Sequence, residues 1–366
     1  MEIAIIGLPK SGKTTVFNAL TRGKAEVGAY VPPAEEPNVG VAKVPDPRLE
    51  VLDQLLHPKK KVPAEVRYVD LGILPKSLGK SEGVSGQLLA HLSKADALLH
   101  VVRAFEDERV PHLKGSINPE RDVATLDLEL AFSDLAIIER RLQRIETSLK
   151  AAKPHEREAF SKEQALLAKI RSALEDEMPI RDQELTEEEK KAILSYQFLT
   201  AKPLLLVFNI GEERLPHSSS LEQEWRTKYQ GPQFQVAVLC GKLEMELSQL
   251  EDIDAQEFRS ELGLEEVALN RMIRLSHELL GLISFFTVVS DEIKAWTIYR
   301  ETPAVKAAGK VHTDMERGFI RAEVIAFDDL VKCGSIAEAR KQGLLHVEGK
   351  NYIVHDGDVI TVLFNI

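Results

Sequence analysis

Glu2-Ile3-Ala4-Ile5-Ile6-Gly7-Leu8-Pro9-Lys10-Ser11-Gly12-Lys13-Thr14-Thr15 is the stretch that decides the fold. Glu2 to Ile6 is a short and mostly apolar run, as expected of a strand buried on both faces. A helical pattern follows through Leu20. Between them stands G-x-x-x-x-G-K-T, in the strand-then-helix setting that makes the motif meaningful. Each residue type has a reason. Gly7 and Gly12 let the backbone turn its N–H groups toward a phosphate. The helix N-terminus adds partial positive charge. Lys13 reaches the β- and γ-phosphates, and the Thr14 hydroxyl is placed for Mg²⁺. Gly7, Pro9, Lys10, Ser11, Gly12, Lys13, Thr14 and Thr15 are therefore candidate phosphate-binding residues. The alternative is a glycine-rich turn that merely enters a helix.

Further apolar runs extend the pattern outward. Val66 to Asp70 alternates and ends in a carboxylate, where P-loop proteins hold Mg²⁺, so Thr14 and Asp70 are the candidate metal ligands. Ala97 to Val102, Pro203 to Phe208 and Phe234 to Leu239 read as three more buried strands. Strands alternating with helices predict an α/β, doubly wound, mainly parallel sheet with its ligand at the carboxyl ends. The fourth run leads into Asn209-Ile210-Gly211-Glu212 and the fifth into Cys240-Gly241, the candidate base-reading segments. GTPases of this class carry N-K-x-D at the first of these. Here Ile210 replaces the lysine that covers the base, and Glu212 replaces the aspartate that clamps guanine. A longer carboxylate does not take the same bidentate position, and a specificity site is sensitive to such a misfit. Both changes point away from guanine.

At this point the chain resembles the YchF subfamily of Obg-like P-loop proteins over essentially its full length. The resemblance is carried by Gly7 to Thr15, Pro37-Asn38-Val39-Gly40-Val41, Val44-Pro45-Asp46-Pro47-Arg48-Leu49, His100-Val101-Val102-Arg103 and Asn209-x-x-Glu212. Phe285-Phe286-Thr287, Ala295-Trp296-Thr297, His312-Thr313-Asp314 and Glu316 to Val324 are more specific still. The resemblance implies an ATP-preferring NTPase (GTP being the alternative) that uses Mg²⁺, associates with ribosomes or translation factors and acts in stress responses. It also implies departures. Ala34 stands where the first switch usually has a threonine. Ile73 replaces the glycine of a D-x-A-G-L second switch, and a β-branched residue makes a backbone flip there costly. Binding of the α- and β-phosphates is expected to survive; hydrolysis or its loss are both open. Leu74 occupies the place where many relatives orient water with glutamine. The family's loop histidine, here His112, is the candidate water-positioning residue, and His112 and Lys13 are the candidate catalytic residues. Lys10 replaces a usual asparagine that in some relatives helps to bind potassium. Either its ammonium supplies that charge, making activity independent of potassium, or it points to solvent.

Leu128, Ala131, Leu135, Ile138, Leu142, Ile145 and Leu149 recur in steps of three and four, a heptad seam. Phe160, Leu167, Ile170 and Leu174 form a second. Two striped helices with a short connection predict an antiparallel coiled-coil hairpin, either an arm for a large partner or a solvated decoration. Thr186 and Glu189 form a capping box for another helix. From about Leu282 short strands and turns take over: Phe285–Val289, Ile293–Tyr299, Gly318–Ile325, a helix Ile336–Gln342, and two strands around His355-Asp356-Gly357-Asp358. That order resembles the TGS module, a β-grasp domain that binds partners. The expected domains are 1–125 with 200–281 for the nucleotide, 126–199 for the hairpin and 282–366 for the TGS-like unit.

Composition sets the remaining bounds. The 366 residues are 44% hydrophobic and 29% charged, a globular balance that argues against disorder. The net charge of -11 argues against direct, sequence-blind DNA binding. Two distant cysteines, Cys240 and Cys333, fit a reducing compartment. The start lacks a basic, long-apolar signal, and no run approaches membrane-span length, so no membrane association and a cytoplasmic location are expected.

Overall fold

The computed structural model describes residues 1–23, 25, 37–71, 86–112, 115–151, 153–231, 233–262, 264, 267–289 and 291–365. Ala34, Ile73 and Leu74 lie outside the described residues. The chain divides into two compact units, Met1–Gly40 with Arg67–Leu269, and Val41–Val66 with Asn270–Ile366.

Among the described residues, twelve strands form two sheets. In chain order they are β1 (Glu2–Ile6), β2 (Asn38–Lys43), β3 (Lys60–Val62), β4 (Glu65–Asp70), β5 (Ala97–Ala104) and β6 (Leu204–Ile210). There follow β7 (Phe234–Leu239), β8 (Leu282–Val289), β9 (Glu292–Tyr299), β10 (Phe319–Ile325), β11 (His346–Glu348) and β12 (Val359–Phe364). The nucleotide-side sheet has the order β2-β4-β1-β5-β6-β7. From β4 through β7 every pairing is parallel. Parallel pairing demands helical crossovers, which cover both faces, so the central strands read as apolar throughout. Strands β5 and β6 are buried at every position. Phe208 of β6 stacks on Trp225 with ring centroids 3.8 Å apart, one of the contacts that seat a helix on the sheet. Strand β6 continues through Ile210, two residues past the apolar run expected from sequence. Asn209 and Ile210 therefore belong to the paired strand, at its carboxyl end, and not to the loop beyond it.

The arm is built as its heptads specify. Its helices span Pro119–Ala151 and Pro154–Glu175. Ile138, Ile145, Leu167 and Ile170 are fully enclosed between them, whereas Leu128 is 41% exposed, so the buried seam begins at Ala131. Arg141 donates twice to Glu163 across the pair, Nε to Oε1 and NH2 to Oε2, both at 2.8 Å, a fork that fixes register as well as charge. A buried carboxylate ties the first arm helix to the segment entering β6. Asp134, with no exposed surface, accepts from Leu199 N at 2.8 Å, Thr200 N at 2.8 Å and Thr200 Oγ1 at 2.7 Å. Burial nonetheless pushes its carboxyl up to about 6. The capping box appears as expected, with Thr186 and Glu189 each accepting the other's backbone N–H.

The second sheet has the order β11-β10-β12-β8-β9-β3 and is mixed. Its hairpin β8–β9 is antiparallel, while β12 lies parallel to β8 and β3 parallel to β9. One expectation fails here. Tyr352–Val354 is not a strand; only Ile353 makes an isolated bridge, to Pro303. Side chains in this turn bind locally instead: Asp358 accepts from Tyr352 Oη and His355 N, both at 2.8 Å. Residues 41–66 contribute to the same unit. Asp46 caps the helix Pro47–Leu56 by accepting from Arg48 N, and Arg48 bridges Asp46 and Asp356 while lying 5.5 Å over the Phe286 ring. His312 accepts from Asp314 N at 3.2 Å, so the His312–Asp314–Glu316 corner is a helix start; no cluster of three metal-ligating side chains occurs among the described residues. No helix among them is long and apolar enough to cross a membrane.

Candidate nucleotide-binding site

The site sits where β1 ends and the helix Lys13–Thr21 begins. Gly7 has φ 153° and Gly12 φ 91°. A Cβ on Gly7 would lie 2.4 Å from Val101 O, and one on Gly12 would lie 2.2 Å from Asn209 Nδ2. The two glycines are thus demanded by close approach of backbone and side chain, as well as by dihedral angle. Lys10 also takes a left-handed φ, 65°. Its ammonium turns toward the loop after β5, donating to Pro111 O at 3.5 Å. Pro9 shares this turn, and Thr15 lies half-buried in the first turn of the helix.

Lys13 is 6% exposed. Its Nζ donates to Gly7 O at 3.0 Å and to Leu8 O at 3.1 Å, so the ammonium is curled onto its own loop. Burial lowers its pKa to about 8, against the opposing pull of the Asp70 charge. Asp70, at the end of β4 and 1% exposed, accepts from Thr14 Oγ1 at 2.8 Å. The two candidate metal ligands therefore converge on one point beside the lysine. This is a hard-oxygen corner, the donor chemistry Mg²⁺ takes. Ser11 Oγ is buried there without a hydrogen-bond partner, an orphaned polar atom of the kind a ligand satisfies. Loop and corner fit a nucleotide phosphate with Mg²⁺.

The candidate base-reading segments are joined to the phosphate loop by one side chain. Asn209 Nδ2 donates to Ser11 O at 3.0 Å, and its Oδ1 accepts from Gly241 N at 2.9 Å. Cys240 precedes Gly241 as the N-cap of the helix Gly241–Leu247; it is 3% exposed and burial raises its pKa. Ile210 is 1% exposed and packs in the core cluster, so its side chain fills the interior rather than covering a base. Glu212 faces outward and pairs with Lys242 at 2.8 Å. Lys242 follows Cys240-Gly241 in the sequence, but nothing local marks its role, because its partner Glu212 is thirty residues away. His112 lies in the loop after β5, with Nε2 2.8 Å from Asp122 Oδ2. His100 is fully buried on β5, and burial, then the charges of Lys13 and Arg181, depress its pKa to about 3, so it is a neutral spacer beneath the loop.

The fold is that of the P-loop GTPases. Residues 2–138 match the model of the 50S ribosome-binding GTPase, and residues 282–365 match YchF-GTPase_C, described as a protein of unknown function (DUF933). The Ribosome-binding ATPase YchF of Bacillus subtilis is 40% identical over 368 residues, covering 100% of both chains. That of Escherichia coli O157:H7 is 39% identical over 365 residues, covering 100% of this chain and 99% of its own. Among solved structures, the YchF GTPase of Schizosaccharomyces pombe superposes with TM-score 0.84 at 29% identity, over 99% of this chain and 97% of that one. The chain belongs to the YchF family. A GTP binding protein from Pyrococcus horikoshii OT3 shares the fold, with TM-score 0.60 at 18% identity.

Proposed function

We propose that this chain binds ATP with Mg²⁺, hydrolyses it slowly and acts as a nucleotide-controlled regulator on the ribosome. The observation that carries the reading is the intact phosphate corner: Lys13 poised on the loop carbonyls, with Thr14 hydrogen-bonded to Asp70 at 2.8 Å. Thr14 and Asp70 would hold the metal ion, which supplies charge neutralisation at the β- and γ-phosphate oxygens when bound. Lys13 straightens from Gly7 O and Leu8 O onto the β- and γ-phosphates, exchanging two neutral acceptors for charged ones. Asn209 keeps the base-reading segments in register with the loop. Glu212, longer than the aspartate that clamps guanine and drawn to Lys242, favours adenine. His112 orients the attacking water in place of the absent glutamine. Ribosome association rests on the ribosome-binding ATPases of Bacillus subtilis and Escherichia coli O157:H7, which align end to end with this chain.

Ala34 and Ile73 support a second reading, an adaptor that binds nucleotide without hydrolysing it. Both readings require Lys13, so Lys13→Ala tests the site itself. It should abolish detectable ATP and GTP binding while leaving the circular dichroism spectrum unchanged. Retained tight binding would overturn the site assignment.

A further inference from the structure

The two candidate base-reading segments lie at the carboxyl ends of β6 and β7, adjacent parallel strands, where α/β sheets take their ligands. Asn209 closes the inner gap between them through Gly241 N and reaches the phosphate loop at Ser11 O. A Cβ on Gly241 would lie 3.2 Å from Val16 Cγ2, so the second segment packs against the helix that carries Lys13. An ion pair closes the outer gap. Glu212, three residues past Asn209, accepts from Lys242 Nζ at 2.8 Å, and Lys242 directly follows Gly241. The Lys242 and Glu212 side chains keep 61% and 52% of their surface. A pair this open adds little to stability.

The pair sets an acceptor beside a donor, because an ionised carboxylate only accepts and an ammonium only donates. Guanine offers two donors side by side on its pairing edge, N1–H and the N2 amino group, and a lone carboxylate takes both. Adenine offers one donor, the N6 amino group, beside one acceptor, N1. A lone carboxylate would set its own lone pairs against that of N1. The Glu212–Lys242 pair matches adenine instead, with carboxylate oxygen to the amino hydrogen and ammonium to N1. Guanine would turn N1–H toward the ammonium and leave donors facing donors, the kind of unpaired polar contact that discriminates most strongly between ligands. Ile210 supplies no such donor, since its side chain lies in the core. A surface ion pair without a ligand is the plain alternative, and it predicts no change in base preference when the pair is broken.

We infer that Lys242 is a specificity-determining residue, its ammonium donating to N1 of adenine while Glu212 accepts from the N6 amino group. This rests on the reading that the chain prefers ATP. The test is calorimetric titration of the full chain, wild type and Lys242→Met, with ATP, GTP and 1-deaza-ATP (in which C–H replaces N1), each with Mg²⁺. Methionine keeps an unbranched stem at an exposed position and removes the charged donor. The wild type should prefer ATP to GTP and bind 1-deaza-ATP about 10-fold more weakly than ATP, the loss of one charge-assisted hydrogen bond. Lys242→Met should bind ATP about 10-fold more weakly than the wild type does, GTP no more weakly, and 1-deaza-ATP as well as it binds ATP. Wild-type affinity for ATP in Lys242→Met overturns the inference and leaves the ATP preference standing. Equal weakening of ATP and GTP does the same, by placing Lys242 on the phosphates instead of the base. Equal affinity of the wild type for ATP and 1-deaza-ATP also overturns it. A wild type that prefers GTP overturns the underlying reading and the inference with it.

Discussion

Raising the pH from 7 to 9 should weaken nucleotide binding through Lys13 alone. In the free protein burial holds this ammonium at about 8, with Asp70 opposing the shift. Bound phosphates favour the charged form and return the group toward its ordinary value of about 10.4. Affinity is therefore full below about 8 and falls as pH rises through it, because binding must then take up a proton. At pH 9 roughly one free molecule in ten carries the charge, so affinity drops ~10-fold from its value at pH 7, about 1.4 kcal/mol. Calorimetric titration in two buffers of different ionisation enthalpy reads the uptake directly, and about 0.9 proton is expected at pH 9. ATP and GTP should show the same linkage, because the phosphates and not the base are involved. Asp70→Asn removes the charge that offsets burial, so the onset should move to lower pH. A flat affinity between pH 7 and 9 with no proton uptake would refute the reasoning. It would mean that Lys13 is hydrated in the free protein and not curled onto Gly7 and Leu8.

Three substitutions probe other parts of the account. Gly12→Ala places a Cβ 2.2 Å from Asn209 Nδ2 at a φ of 91°, combining backbone strain with loss of the Asn209–Ser11 bond; nucleotide affinity measured by titration should fall about 100-fold. Asp134→Ala orphans Leu199 N and Thr200 N in a buried setting and should destabilise the first unit by about 3 kcal/mol in urea unfolding; an unchanged midpoint would show that the arm is not fastened there. Glu212→Asp restores the shorter carboxylate, and competition binding should move the ATP-to-GTP preference about 10-fold toward GTP, while no movement would place base selection elsewhere.

What could be read from sequence follows the range of the interaction that fixes each feature. Gly7, Gly12, Lys13 and Thr14 are dictated by a turn only eight residues long, so their types and spacing announced the site. The arm was legible for a similar reason, since a heptad seam is a local record of a long-range packing face. Asn209 was legible as a motif letter, but its bridge from Ser11 O to Gly241 N joins segments far apart in sequence. The Val44–Leu49 motif has no role legible in sequence, because Arg48 joins its neighbour Asp46 to Asp356, 308 residues away. Asp122 carried no local signal at all; its contact with His112 appears only when the loop after β5 folds back on the arm. Tyr352 to Val354 has strand-like residues, yet Asp358 draws Tyr352 Oη and His355 N into a turn that competes with pairing. Ile210 stands at a base-reading letter of the motif, yet its side chain on β6 packs into the core.

Titration of ATP and GTP with Mg²⁺, followed by phosphate release with and without ribosomes, tests the central claim most directly. Tighter binding of ATP with slow release of phosphate is the expected result. Tighter binding of GTP, or ATP bound without any release under either condition, would contradict it.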